Sequence, residues 1–146
     1  MGAFMRSQKL EADLVLCSPS ARTRATLALA LPETATTSGS ASIVYEDPLY
    51  LASATDLLER LTRVSSHHTH VLMIGHNPGF HDLALLMSKP LVSPARQALA
   101  VKFPTASLAV ISFPVTTWSD VGPRSGNLSL FMTPSHLTNQ ASRDDA

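Results

Sequence analysis

Two short polar breaks carry the residues whose types could do chemistry. The first is Ser18 to Arg22, which follows the apolar run DLVLC (13–17); the second is His76 and Asn77, which follow VLMIG (71–75). An imidazole, a guanidinium, a hydroxyl and a carboxamide are the groups that bind anions, and the guanidinium offers a flat, two-pronged donor matched to phosphate or carboxylate oxygens. Each break also feeds a helix, whose first turn has free N–H groups and the positive end of the macrodipole. Arg22 lies in such a first turn, where its charge is electrostatically unfavourable unless an anion visits. Arg24, two positions on, points elsewhere on the helix, while Thr26, four positions on, shares the face of Arg22. Taken singly, a histidine ending a strand or an arginine near a helix start is ordinary structure. Together on one edge they imply phosphate or carboxylate binding, and residue chemistry alone goes no further.

The elements that must position these residues are legible as patterns. Met1, Phe4 and Met5 have helical spacing with nothing before them to act as a cap, so the chain reads as beginning part-way through a helix. DLVLCS (13–18) reads as a strand buried on both faces. Ser18 followed by Pro19 has the form of a capping hydroxyl with proline at the first helical position, and the helix is expected to run through ARTRATLALAL and stop near Pro32. Residues 34–42 are small and polar, a loop; 43–47 form a brief strand. A second helix is expected from Thr55 or Asp56 through LLERLTRV, a buried strand over 71–76, and a helix over FHDLALLMS (80–88). After a proline-punctuated stretch, 106–113 and 127–133 alternate as antiparallel strands joined by a long turn, and the tail is polar and frayed. Strand–helix–strand–helix order predicts an α/β domain, a mostly parallel sheet flanked by helices, with antiparallel strands near the C-terminus. In such sheets ligands bind beyond the carboxyl ends of the strands, so Ser18, Arg22, His76 and Asn77 should share one edge.

Composition narrows the partners. The 146 residues fit one domain, read as 1–135 with a polar tail over 136–146; 45% are apolar and 15% charged, and eleven basic residues balance eleven acidic ones. That balance gives no global field for nucleic acid or an anionic membrane. No apolar run is long enough to span a bilayer, and neither a signal peptide nor a myristoylation pattern opens the chain, so a cytoplasmic location is expected. Cys17 reads as a small core residue. His67, His68 and His70 form a metal-like cluster without an acidic neighbour in the local sequence, which favours a solvated loop over a metal site. His81 reads as helix surface.

SPSARTRAT (18–26) resembles the Ser-x-x-x-Arg-x-x-x-Thr segment of the histidine phosphatase superfamily, and IGHNPGF (74–80) resembles that family's second histidine motif. The Gly-His-Asn-Pro wording, with DLVLCSP, EDPLYLAS (46–53) and FPTASLAV (103–110) in the same order, is similar to the SixA-like phosphohistidine phosphatase branch of these phosphoglycerate mutase-like proteins. The resemblance implies hydrolysis of phosphohistidine or small phosphoesters through a phosphohistidine intermediate, with a phosphorylated protein or small phosphorylated molecule as partner and no cofactor or metal. It assigns Arg22 and His76 to the transferring phosphoryl group, with Ser18 and Asn77 beside them; a preorganised donor of this kind stabilises a transition state by about 3 kcal/mol. Glu46 or Asp47 would be the general acid if one were used, although a phosphoramidate leaves readily without one, and a solvated turn is the plainer reading of both; Thr105 is a further candidate for the pocket. One departure is decisive. The family's nucleophile is a histidine in an Arg-His pair closing its first strand, and here none of the six histidines follows an arginine. The reading is therefore of an N-terminally truncated member, with two strands left unpaired on facing edges and little or no turnover, whose alternatives are a non-catalytic phosphate-binding module or an unstable fragment.

Overall fold

The computed structural model describes residues 1–31 and 41–144. Helix α1 (Gly2–Ser7) leads to strand β1 (Leu14–Cys17), helix α2 (Ala21–Ala30) and strand β2 (Ser42–Tyr45). A 3-10 turn over Asp47–Leu49 precedes helix α3 (Ala54–Thr62), strand β3 (Val71–Ile74), and helices α4 (Gly79–Met87) and α5 (Pro94–Val101). The antiparallel strands β4 (Leu108–Ser112) and β5 (Asn127–Met132) flank a second 3-10 turn, and α6 (Pro134–Asp144) ends the described chain. Among the described residues no helix is long and apolar enough to cross a membrane.

The parallel sheet has the order β2-β1-β3, with Leu14 to Cys17 of β1 registered against Ser42 to Tyr45 on one side and Val71 to Ile74 on the other. β4 and β5 form a separate two-stranded sheet with a bulge between Val110 and Ile111. All four residues of β1 are buried, as its unbroken apolar run requires of a central parallel strand. Successive residues serve opposite faces. Leu14 and Leu16 join Leu57, Leu61, Leu83 and Met87 under α3 and α4, while Val15 and Cys17 join Leu27 of α2 and Ile74. Each fully buried aliphatic side chain of this kind contributes roughly 1.5–3 kcal/mol. A third cluster, Ala84, Leu99 and Phe131, fastens the antiparallel pair to α4 and α5.

Several expectations change in detail. The expected loop over 34–42, like the Pro32 stop of the first long helix, falls largely outside the described residues; helix α2 ends at Ala30 with Leu31 as its cap, and Ser42 already belongs to β2. Helix α3 starts earlier than Thr55 because the Ser53 hydroxyl accepts the Asp56 amide (3.1 Å). The proline-punctuated stretch contains α5, capped by Ser93, whose hydroxyl accepts the Arg96 amide at 3.1 Å, with Pro94 in the first turn. The C-terminal segment read as a frayed polar tail is helical through Asp144, with no buried side chain.

Candidate phosphate site at the carboxyl edge of the parallel sheet

The β1–β3 ladder extends one residue beyond the strands, where the Ser18 amide donates to the Ile74 carbonyl (3.0 Å). That bond brings the two polar breaks together. Ser18 is fully buried, and its Oγ lies 2.8 Å from His76 Nε2. Ser18 is not the helix cap expected from the Ser-Pro pair. Ser20 caps α2, its hydroxyl facing the Thr23 amide at 3.3 Å, and the Ser18 side chain is left to meet the imidazole. Thr23, a buried residue that the motif spacing did not single out, locks this turn: its hydroxyl donates to the Ser18 carbonyl at 2.5 Å and sits 2.7 Å from Ser20 Oγ.

The turn after His76 tolerates little variation. A Cβ on Gly75 would lie 2.3 Å from the Phe80 ring, and one on Gly79 would lie 2.1 Å from the Ala52 carbonyl oxygen. The Asn77–Pro78 bond is cis. The Asn77 side chain is bonded at both ends: Nδ2 donates to the Phe103 carbonyl, just after α5 (2.6 Å), and Oδ1 accepts the His81 amide in α4 (3.1 Å). His76 is half-buried, with the Tyr50 ring packed edge-on at a centroid distance of 5.1 Å. Tyr50 escaped the sequence reading because it stands in a loop with no periodic pattern; its place in EDPLYLAS was its one signal.

The two arginines of the motif have separate fates. Arg24 donates from Nε to the Pro19 carbonyl (2.9 Å), and its guanidinium stacks 3.9 Å from the centre of the Tyr45 ring. Arg22 is exposed in the first turn of α2, and among the described residues its guanidinium has no hydrogen-bond or ion-pair partner. Thr26 bonds back to the Arg22 carbonyl (3.0 Å).

Other candidates are placed differently from expectation. Glu46 is neither a solvated turn residue nor a free acid, because Arg60 grips its carboxylate with Nε and Nη2 at 2.6–3.0 Å. The Glu46 hydrogen bonds hold the Arg60 guanidinium above its ordinary pKa against the opposing effect of burial. Asp47 and Thr105 are exposed. His81 is not on the helix surface: its Nε2 meets the Leu99 carbonyl at 2.6 Å and ties α4 to α5. The SSHHTH loop does have an acidic partner, distant in sequence. Asp13 accepts the Thr69 amide (2.8 Å), the Thr69 hydroxyl (3.1 Å) and the His70 amide (3.2 Å), with His68 Nδ1 at 3.7 Å. Partial burial pushes the Asp13 carboxyl up, but these donors outweigh it and hold it below its ordinary value. Among the described residues no three His, Cys, Asp or Glu side chains are grouped to hold a metal ion. Cys17 is buried, and burial pushes its thiol up, as suits a core residue.

No family model matches the chain. An uncharacterized protein of Mycobacterium tuberculosis is 32% identical over 135 residues, which cover 91% of this chain and 80% of the relative. One from Mycobacterium leprae is 29% identical over 91% of this chain and 78% of its own. Among solved structures, the protein of Nakamurella multipartitia assigned as phosphohistidine phosphatase SixA superposes with a TM-score of 0.74 at 28% identity, over 91% of this chain and 77% of its own. The corresponding Agrobacterium tumefaciens protein gives 0.69 at 25% identity, over 91% and 75%. A protein histidine phosphatase SixA complexed with tungstate shares the fold, with a TM-score of 0.67 at 21% identity, over 93% and 78%.

Proposed function

The chain belongs to the histidine phosphatase superfamily with the SixA-like fold, and from that membership we propose that its carboxyl edge is the phosphoryl-binding half of a phosphohistidine or small-phosphoester phosphatase site. The observation that carries the reading is the 2.8 Å contact between Ser18 and His76 at the ends of adjacent parallel strands, with Arg22, four positions after Ser18, unpartnered among the described residues. Arg22 supplies fixed positive charge and paired N–H donors for two phosphoryl oxygens. His76, anchored through Nε2 to Ser18 and braced by Tyr50, directs its remaining nitrogen to a third. Both of Asn77's polar ends bond within the protein, one to the Phe103 carbonyl and one to the His81 amide, so its part in the site is to hold His76 in place.

Such a site stabilises charge and lacks a nucleophile. In the family's reaction an imidazole nitrogen attacks phosphorus, the leaving group departs with a proton, and water then cleaves the phosphorus–nitrogen bond. Attack must come from a histidine facing the bound phosphoryl group, and His76 is already committed to Ser18. None of the six histidines in the sequence follows an arginine. The chain as given therefore binds phosphate and turns over poorly, which also fits a non-catalytic phosphoprotein-binding module. Hydrolysis of an aryl phosphate decides the point: the expected rate is no higher than that of His76→Ala, and family-like turnover that survives this substitution would sink the site assignment.

A further inference from the structure

The end of α4 away from His76 borders a second pocket, of about 360 Å³. Two guanidiniums, those of Arg96 and Arg124, and the Asp82 carboxylate share its lining with Leu85, Leu86 and Pro90. No ion pair among the described residues includes Arg96, Arg124 or Asp82. Arg96 Nε is buried and has no hydrogen-bond partner among the described residues. A guanidinium N–H withdrawn from water without an acceptor is costly, and an anion against the same group offsets that cost. Arg96 also stands in the first turn of α5, which holds no acidic residue, against the positive end of the helix dipole. We infer that this pocket binds a small organic carboxylate with an apolar body, separately from the phosphate half-site.

The backbone around the pocket is fixed. The Arg124 amide donates to the Leu86 carbonyl (2.8 Å), the Gly126 amide to the Met87 carbonyl (2.9 Å) and the Lys89 amide to the Gly126 carbonyl (2.8 Å), which stitches the turn before β5 to the end of α4. Ser125 closes that turn, its hydroxyl donating to the Gly122 carbonyl (2.6 Å) and accepting the Gly122 amide (3.0 Å). Arg124 is held there at φ 57°, a left-handed conformation unfavourable for any residue with a Cβ. Ser88, fully buried in the lining, spends its hydroxyl on the Ala84 carbonyl at 2.7 Å, so polar recognition falls to the charged groups. Two guanidiniums against one carboxylate leave a surplus of one positive charge, which suits a monoanion and disfavours a phosphate dianion. The paired donors of arginine match a carboxylate, and Leu85, Leu86 and Pro90 give its body an apolar wall. All these residues lie between Asp82 and Arg124, and the inference does not depend on what the carboxyl edge binds.

The probe is 3-phenylpropionate, titrated into the full chain and followed by the Nε–Hε resonances of the arginines in ¹H–¹⁵N NMR. Its control, 3-phenylpropanol, keeps the apolar body and removes the charge. Expected are a saturable shift of the Arg96 resonance, and binding weakened about tenfold for the alcohol and in Arg124→Gln. Affinity in Arg22→Gln should be unchanged. Asp82→Asn should tighten binding about threefold, because it enlarges the positive surplus. Arg96→Gln, read by the Arg124 resonance, should show the same loss as Arg124→Gln and carries the test if the latter unfolds. No saturable shift, equal binding of the alcohol, or weaker binding in Asp82→Asn overturns the site. Binding lost in Arg22→Gln and retained in Arg124→Gln and Arg96→Gln also overturns it, by assigning the carboxylate to the sheet edge.

Discussion

The two ends of the parallel sheet are both built from polar side chains and differ in how fully those groups are used. At the amino end, Asp13 collects two amides and a hydroxyl from the loop before β3, and its carboxylate has little acceptor capacity left. At the carboxyl end, Ser18 and His76 satisfy each other at one nitrogen only, and Arg22, in the first turn of α2, has no partner among the described residues. A saturated cluster stabilises a fold. An unsaturated one, with a positive charge held where the helix dipole already disfavours it, has the capacity that the proposed anionic ligand would use. The histidine-rich loop looked like the metal candidate by composition and turns out to be the structural end. The single histidine after a strand sits at the end with spare capacity.

The comparison can be broken most severely at Arg22. Arg22→Ala should weaken tungstate or phosphate binding by about 10–100-fold, equivalent to about 1.4–2.8 kcal/mol, in isothermal calorimetry, with the urea midpoint unchanged. Loss of stability instead would place Arg22 among the structural residues. Asp13→Ala should do the reverse, costing about 1–2 kcal/mol in urea unfolding for its lost charge-assisted hydrogen bonds while anion affinity stays the same.

The sign of the pH effect follows from the same carboxylate. Because the folded state holds Asp13 below its ordinary value of 3.8, its contribution is complete above that pH and is lost as pH falls through the depressed value. Acid unfolding should therefore begin at higher pH in Asp13→Ala than in the parent, and coincident acid limbs would contradict the assignment. The smallest effect is expected at Tyr50. Removing its edge-on contact with Tyr50→Ala should weaken anion binding by about 2–5-fold, from about 0.5–1 kcal/mol of aromatic packing, with Tyr50→Phe restoring it because the contact is made by the ring.

Much of this was legible in the sequence because burial and periodicity speak locally. β1 reads as buried on both faces from LVLC alone, and the shared edge of Ser18 and His76 follows from parallel strands ending in polar breaks. What escaped depends on contacts distant along the chain or on competition between neighbouring residues. Two Ser-Pro pairs occur, and the rule they suggest holds at one of them: Ser93 caps α5, but at Ser18 the helix waits two residues for Ser20, since His76 claims the Ser18 hydroxyl. Asp13 and the SSHHTH loop are more than fifty residues apart, and Glu46 meets Arg60 across fourteen, distances at which sequence patterns carry no pairing signal. α5 lies in a stretch where prolines draw the eye to turns, although Pro94 sits in the first turn, where a helix accepts it.

The most direct test of the phosphate half-site follows the imidazole nitrogens of all six histidines by long-range ¹H–¹⁵N NMR during a titration with inorganic phosphate. The expected result is a saturable change at His76, abolished by Arg22→Ala, with His67, His68 and His70 unmoved. Saturable changes in the SSHHTH loop with His76 silent would contradict the assignment of the carboxyl edge and move the anion site to the opposite end of the sheet.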